Sequence, residues 1–115
     1  MRVHRFGELR PDSTAAGMGR GDRFETDELV IGEWSLTQAA WTDRHHHDEI
    51  NRVLEGELHV TSDGETTIVH PGEVVVVPAG ALARYSAPVF ARMMFIYGPS
   101  SDGHGASDTK YERLG

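Results

Sequence analysis

A run of metal-ligating residue types lies near the middle of the chain, at residues 41–50. It reads WTDRHHHDEI and places three consecutive histidines between acidic residues. In an extended strand alternate side chains share one face, so four members of this run would point the same way: Asp43, His45, His47 and Glu49. Imidazole nitrogens and carboxylate oxygens are ligands of divalent metals, and open positions would remain for water or substrate. If this face points into the fold, the spacing predicts a metal site of two imidazoles, His45 and His47, with one or two carboxylates, Glu49 and Asp43.

Other interpretations of the same residues stay open. The three histidines would also suit a solvated loop or a sheet edge, and a bulge or one-residue slip would turn His46 inward instead of His47. Alternatively no metal is held, and the same side chains line a small-molecule pocket together with Tyr85. Because imidazole titrates near neutral pH, such a pocket could support hydrogen bonding or acid–base chemistry. In that case Glu49 and Tyr85 are the catalytic candidates.

The elements that would position these side chains are predicted to be β-strands. From residue 28 onward, short runs rich in β-branched and aromatic residues are separated by turn signals such as Asp63-Gly64 and Pro71-Gly72. The runs cover residues 28–36, 50–61, 66–69, 74–77, 82–86 and 90–97. No window of eleven or more residues keeps a helical period, although residues 107–114 could form a short helical turn. The pattern predicts an all-β fold, either a small barrel or a jelly roll.

The length of the chain favours a single domain with an extension at each end. Its 115 residues match the size of one compact domain. Residues 1–27 are mixed and glycine-rich, and we expect an N-terminal arm there. Residues 28–98 are predicted to form the barrel, and residues 99–115 a short polar C-terminal tail.

Composition narrows the classes of partner. The chain has 11 Lys and Arg against 18 Asp and Glu, a formal net charge of −7 at pH 7. Because phosphate binding needs a basic surface, this balance argues against nucleic acid and anionic membranes as partners. The absence of cysteine excludes a disulfide framework, a thiolate metal site and a cysteine nucleophile. No apolar run has the length of a signal-peptide core or a membrane span, so we expect a cytoplasmic location.

Two spaced motifs resemble those of the cupin superfamily. Glu49 is followed after six residues by Gly56, as at the end of the first cupin motif. Gly72 is followed after five residues by Pro78-Ala79-Gly80, as in the second motif. Within the superfamily the chain is most similar to the ethanolamine-utilization cupins, through residues 48–50, 78–80, 87–92 and 97–99. The resemblance implies a small cupin with a single jelly-roll β-barrel.

The metal-binding pattern of the superfamily is only partly present. Metal-binding cupins usually carry H-x-H with the acid four residues after the second histidine, and a last histidine three residues after the glycine of the second motif. In this register the chain has Asp43 and His45, and the last position is Ala83. His47 would replace a missing ligand if the chain bulges. Tyr85, two residues beyond Ala83, could fill the space of the missing imidazole.

The resemblance leaves two functions open. In the first, His45, His47 and Glu49 bind iron, zinc, manganese or nickel, and the chain is a metal-dependent enzyme of oxygenase or isomerase type. In the second, it is a metal-free cupin that binds a small molecule and serves a catabolic pathway, as in ethanolamine-utilization cupins that have lost the ligands. In both cases the valine run Val74–Val77 is expected to pair two copies into a homodimer.

Overall fold

A computed structural model describes residues 1–98 and 106–115. In this part of the chain the regular structure consists of antiparallel β-strands, in agreement with the predicted all-β fold. They are β1 (Arg10–Pro11), β2 (Met18–Glu25), β3 (Val30–Arg44), β4 (Glu49–Gly56), β5 (Leu58–Ser62), β6 (Glu65–Val69), β7 (Val74–Val77), β8 (Leu82–Tyr97) and β9 (Ser107–Arg113). Residues 1–98 and 106–115 contain no helix long and apolar enough to cross a membrane.

The two longest strands, β3 and β8, connect the two halves of the fold. They pair from Val30 opposite Tyr97 to Arg44 opposite Leu82. A bulge at Gln38, where φ is 48°, interrupts the ladder. On one side of this bulge β2 pairs with β3 and β4 pairs with β8. On the other side their neighbours are β9 and β5. The same two strands therefore contribute to both sheets of a jelly roll.

The core lies between these sheets and is built from the inward positions of each strand. Its fully buried large side chains include Leu36, Val53, Leu58, Tyr85 and Met93. Burying such apolar side chains is the main driving force for the fold. Strand β4 alternates with a period of two and places Glu49, Asn51 and Val53 inward. Glu49 and Asn51 are therefore polar side chains in positions that strands usually fill with apolar residues.

Two glycine positions show how the turns follow from the sequence. Gly56 has φ of 76°, and a Cβ atom there would lie 2.1 Å from the Phe90 carbonyl oxygen, so only glycine fits. This contact accounts for the glycine of the first motif. The hairpin between β5 and β6 turns through Asp63 and Gly64, which both have positive φ. The turn predicted at this dipeptide is confirmed.

The sheet extends beyond the barrel bounds of residues 28–98 in both directions. β2 falls within the range predicted as an arm, yet it pairs with β3 from Met18 opposite Leu36 to Glu25 opposite Val30. β9 falls within the predicted tail and forms a strand along β3 rather than a helical turn. Both strands gain their stability from pairing with β3, which their own composition does not reveal. The predicted start of the tail at residue 99 lies outside the described residues, since 99–105 are not among them.

Candidate metal centre

Asp43, His45 and Glu49 meet where β3 ends and β4 begins. Asp43 is the penultimate residue of β3, and His45 directly follows that strand. Glu49 is the first residue of β4. One ligand atom from each lies within 4.8 Å of the others. His45 Nε2 is 3.1 Å from Asp43 Oδ2 and 3.2 Å from Glu49 Oε2. Both carboxylates are buried. One imidazole between two carboxylates is a donor set suited to a first-row divalent metal.

The surroundings of one buried oxygen of Asp43 indicate whether this group suits a metal ion. Asp43 Oδ1 is inaccessible to solvent, and no residue of the described part donates a hydrogen bond to it. A buried carboxylate oxygen without a donor is costly, because its hydration is lost without replacement. A divalent cation bound by both oxygens of Asp43 would satisfy Oδ1 and offset the repulsion between the two carboxylates. The residues therefore fit a divalent metal ion.

Two indoles and an amide hold the carboxylates in place. Trp41 Nε1 donates to Asp43 Oδ2 at 2.9 Å. Trp34 Nε1 donates to Asn51 Oδ1 at 2.8 Å, and Asn51 Nδ2 lies 3.4 Å from Glu49 Oε1. Because an indole can only donate, Trp34 fixes the orientation of the Asn51 amide so that its NH₂ faces Glu49. Such hydrogen bonds orient ligands and leave Oε2 of Glu49 directed toward His45.

The electrostatics of the group favour the uptake of positive charge. Burial raises the pKa of Glu49 to about 7; the negative charge of Asp43 adds to this, and His45 opposes it. The hydrogen bond to Asp43 raises the pKa of His45; burial opposes this shift and Glu49 supports it. Near neutral pH the group therefore retains protons that a metal ion would displace.

The group lies in a small pocket of about 140 Å³ with aromatic walls. The walls are formed by Trp34, Trp41, Phe95 and Tyr97, and Arg20 also lines the pocket. The Tyr97 ring lies 5.0 Å from the His45 ring and stacks on Phe95 at the same distance between centroids. Burial raises the pKa of Tyr97. The pocket thus combines one polar end with an apolar interior, as is usual for small-molecule sites.

The structure brings together two of the three predicted metal ligands. His45 and Glu49 belong to the group, and Asp43 completes it. His47 lies elsewhere, against Gly98, where a Cβ atom would be 2.5 Å from His47 Nδ1. The reason is that β3 ends at Arg44, so residues 45–48 form a loop and strand alternation does not continue to His47. His46 is exposed in the same loop.

Tyr85, the second predicted catalytic residue, lies beneath the group in the core. Its side chain is fully buried, and its ring meets the edge of Trp34 with centroids 5.7 Å apart. The hydroxyl has no hydrogen bond of ordinary geometry within the described residues, although Glu49 and Asn51 are close enough to influence it. Burial, reinforced by Glu49, raises its pKa far above the usual range. Tyr85 therefore lies beside Glu49 as a neutral phenol.

Several side chains of the site were not predicted from the sequence. The sequence places Asp43 on the correct face and in the register of the first histidine of the cupin motif, but the predicted ligand set takes His47 in its place. Ala83, at the register of the last histidine, pairs directly with Asp43 across β3 and β8. The alternation of Glu49, Asn51 and Val53 could have identified Asn51 as an inward polar residue. No signal identified Arg20, because its strand was not predicted.

The jelly-roll barrel and its polar pocket define the chain as a cupin. An RmlC-like cupin from Shewanella frigidimarina NCIMB 400 has the same fold, with a TM-score of 0.70 at 21% identity over 84% of this chain and 86% of that chain. The model of the ethanolamine utilisation protein EutQ family matches residues 21–102, and the chain belongs to this family.

Solved structures of the same family are similar to the chain over most of its length. A Salmonella typhimurium LT2 protein, provisionally named ethanolamine utilization protein q, is 28% identical with a TM-score of 0.68, over 82% of this chain and 78% of that one. The EutQ protein of Clostridium difficile is 23% identical with a TM-score of 0.65 over 71% of this chain, which spans 62% of that protein. A search of curated proteins found no significant match.

Proposed function

We propose that this cupin binds a divalent metal ion through Asp43, His45 and Glu49 and presents it to a small organic molecule in the pocket. The observation that supports this most directly is the buried Asp43 Oδ1, which lacks a donor within the described residues. It belongs to a carboxylate that shares His45 Nε2 with a second buried carboxylate. Two buried carboxylates in one site are unfavourable unless a proton or a cation lies between them.

Each part of the pocket has a distinct role in this proposal. Asp43, His45 and Glu49 would hold the ion, while Trp41 and Asn51 keep the two carboxylates oriented. When bound, a divalent metal would act as a Lewis acid toward an oxygen of the ligand. The aromatic walls exclude water from the ligand and strengthen electrostatic interactions inside the pocket. Zinc, manganese, iron and nickel all accept imidazole and carboxylate donors.

Metal analysis of protein made without an affinity tag tests the proposal. After loading with Zn²⁺ or Mn²⁺ and desalting, the parent should retain about one equivalent, whereas His45→Ala should retain less than about a tenth. His59→Ala is the matched control, because His59 pairs with the exposed Glu57 rather than with the pocket. A parent that retains no metal would refute the proposal.

Two further variants decide between the ligand sets. Asp43→Asn should lose the metal and His47→Ala should retain it, because only Asp43 belongs to the group of converging donors. The reverse result would support the set His45, His47 and Glu49 that the sequence predicted.

A metal-free acid–base function is the second candidate, and the pKa of Glu49 favours it. A carboxyl group with a pKa of about 7 can both donate and accept a proton at neutral pH. Glu49 would be the reacting group, and Tyr85 would support it from the core. In this case ligand binding or turnover should be insensitive to EDTA and should be abolished in Glu49→Gln. Sensitivity to EDTA would favour the metal instead.

We also propose that two copies pair along β7. This strand is paired with β4, and no second strand of the described part covers its other edge. Val74 and Val76 remain about half exposed on it. An open edge with exposed valines invites pairing with another copy. Sedimentation should show a dimer for the parent and a monomer for Val76→Lys, and a monomeric parent would refute the proposal.

A further inference from the structure

Arg20 is a positively charged side chain that lines the same pocket as the candidate metal ligands. It lies on β2, two residues after the buried Met18 and therefore on the same face of the strand, and its side chain is 54% exposed at the margin of the pocket. Its Nε donates to Asp12 Oδ2 at 2.7 Å. Asp12 is itself held by the backbone NH and the hydroxyl of Thr14, both at 2.8 Å. The orientation of this half-exposed arginine is therefore set by a small network of hydrogen bonds.

The Asp12 contact uses only one edge of the Arg20 guanidinium. In the part of the chain that the structure describes, no residue accepts a hydrogen bond from Nη1 or Nη2 of Arg20. These two groups form a planar fork that matches the two oxygens of a carboxylate. A fixed cation with its fork unused, at the margin of an aromatic pocket, is suited to binding an anionic group of a ligand.

The ring of Trp41 sets the spacing between Arg20 and the candidate metal ligands. Arg20 Cζ lies over this ring at 5.7 Å from its centroid, while the ring Nε1 donates to Asp43. The two polar ends of the pocket are therefore separated by about one indole ring, with Trp34 and Phe95 among the apolar walls. A ligand that touches both ends needs an apolar body of similar length.

We propose that the pocket binds a small carboxylic acid whose carboxylate pairs with Arg20 and whose far end carries an oxygen donor directed at Asp43, His45 and Glu49. The second half of this statement rests on the proposed metal site. A carboxylate is favoured over a phosphate monoester because the charge of the single arginine is shared with Asp12, and two buried carboxylates lie behind it. A dianion would meet more repulsion than a monoanion in this setting.

Four aromatic probes of similar shape distinguish the contribution of the carboxylate from that of the oxygen at the far end of the ligand. They are 4-hydroxybenzoate, benzoate, 4-hydroxybenzamide and 4-hydroxyphenyl phosphate. Binding is followed through the two indole NH signals in ¹H–¹⁵N NMR spectra, since the chain has two tryptophans and both line the pocket. Titrations use the Zn²⁺-loaded and the EDTA-treated protein. The variant is Arg20→Gln, and the matched control is Arg10→Gln, an exposed arginine paired with Asp22.

The proposal gives one expected pattern. 4-Hydroxybenzoate should bind at least about tenfold more tightly than 4-hydroxybenzamide, because a charge-assisted pair with arginine is lost in the amide. Arg20→Gln should abolish this preference, and Arg10→Gln should preserve it. Benzoate should bind more weakly than 4-hydroxybenzoate in the Zn²⁺-loaded protein and equally well after EDTA treatment.

The failures of the two proposals are distinguishable. If the protein takes up no zinc but still prefers the acid to the amide through Arg20, the metal site is wrong and the carboxylate assignment stands. If zinc binds and the acid has no Arg20-dependent advantage, the carboxylate assignment is overturned. Tighter binding of the phosphate than of 4-hydroxybenzoate also overturns it, in favour of a phosphate ligand.

Discussion

Glu49→Gln should make the metal-free protein more stable at alkaline pH, which is unusual for a substitution in a candidate site. Burial and the charge of Asp43 raise the pKa of Glu49 from 4.5 to about 7. At about 1.4 kcal/mol for each pKa unit, ionisation of this one group costs the folded state on the order of 3 kcal/mol. Glutamine has nearly the same shape but no charge, so it avoids this cost.

The sign of the pH dependence follows from the direction of the shift. Because the folded state binds this proton more tightly than the unfolded chain does, the stabilisation is fully present below the ordinary pKa of 4.5. It is lost as the pH rises through about 7. The raised pKa of His45 acts in the same direction. The metal-free parent should therefore lose stability between pH 5.5 and pH 8.5.

Urea unfolding of EDTA-treated protein at pH 5.5, 7.0 and 8.5 measures this effect. At pH 5.5, one unit above the ordinary pKa, Glu49→Gln should already be more stable than the parent by about 1 kcal/mol. At pH 8.5 the variant should be more stable by up to about 3 kcal/mol. Some pH dependence should remain in it, because Asp43 still holds the proton on His45. Glu65→Gln, at an exposed position on β6, is the control and should follow the parent. A parent whose stability rises from pH 5.5 to pH 8.5, or a variant less stable than the parent at pH 8.5, would refute the reasoning.

Three further outcomes are expected. Gly56→Ala should lower the free energy of unfolding in urea by about 2–4 kcal/mol, because a Cβ atom meets the Phe90 carbonyl. Gly64→Ala, with similar φ and open space around it, should lower it by only about 1 kcal/mol. Equal losses in the two variants would contradict the close contact at Gly56. Trp41→Phe should weaken zinc binding about tenfold in a chelator competition, because Asp43 loses its indole donor; unchanged affinity would mean that this hydrogen bond does not orient the ligand. Zinc at about 100 times its dissociation constant should raise the free energy of unfolding by about 2.7 kcal/mol in the parent and not in His45→Ala; an equal rise in both would place the ion elsewhere.

More of the fold than of the candidate site could be predicted from the sequence. The spacing of Glu49, Gly56 and Gly72 resembles the cupin motifs, and this resemblance implied a jelly roll. At Gly56 the structure shows a local reason for the motif, the close contact with the Phe90 carbonyl. The contribution of β2 and β9 to the sheet was not predicted, since both depend on pairing with β3. Their own residues give a weak pattern, with glycines in β2 and Tyr111 as the one large apolar side chain of β9.

The ligand set illustrates the same limit at the level of single residues. Strand alternation correctly placed Asp43 and His45 on one face, because both precede or directly follow the end of β3. It could not foresee that the chain leaves the strand after Arg44, so that Glu49 returns to the group from β4 while His47 contacts Gly98. Because residues 45–48 form a loop, the alternation of side chains along β3 does not extend to His47.

The proposed anion site and the candidate metal ligands come from different strands, because Arg20 lies on β2, near the edge of the sheet. The residues that would hold an ion lie at the end of β3, in the loop that follows it and at the start of β4. Arg20 lies on β2, between β1 and β3, and is held by Asp12. If Arg20 binds the carboxylate as proposed, its replacement would change which anion is selected while the hydrogen bond from Trp41 to Asp43 and the pairing of β3 with β8 are kept. In an evolving family, such an arrangement would let the choice of ligand diverge while Asp43, His45 and Glu49 are inherited unchanged.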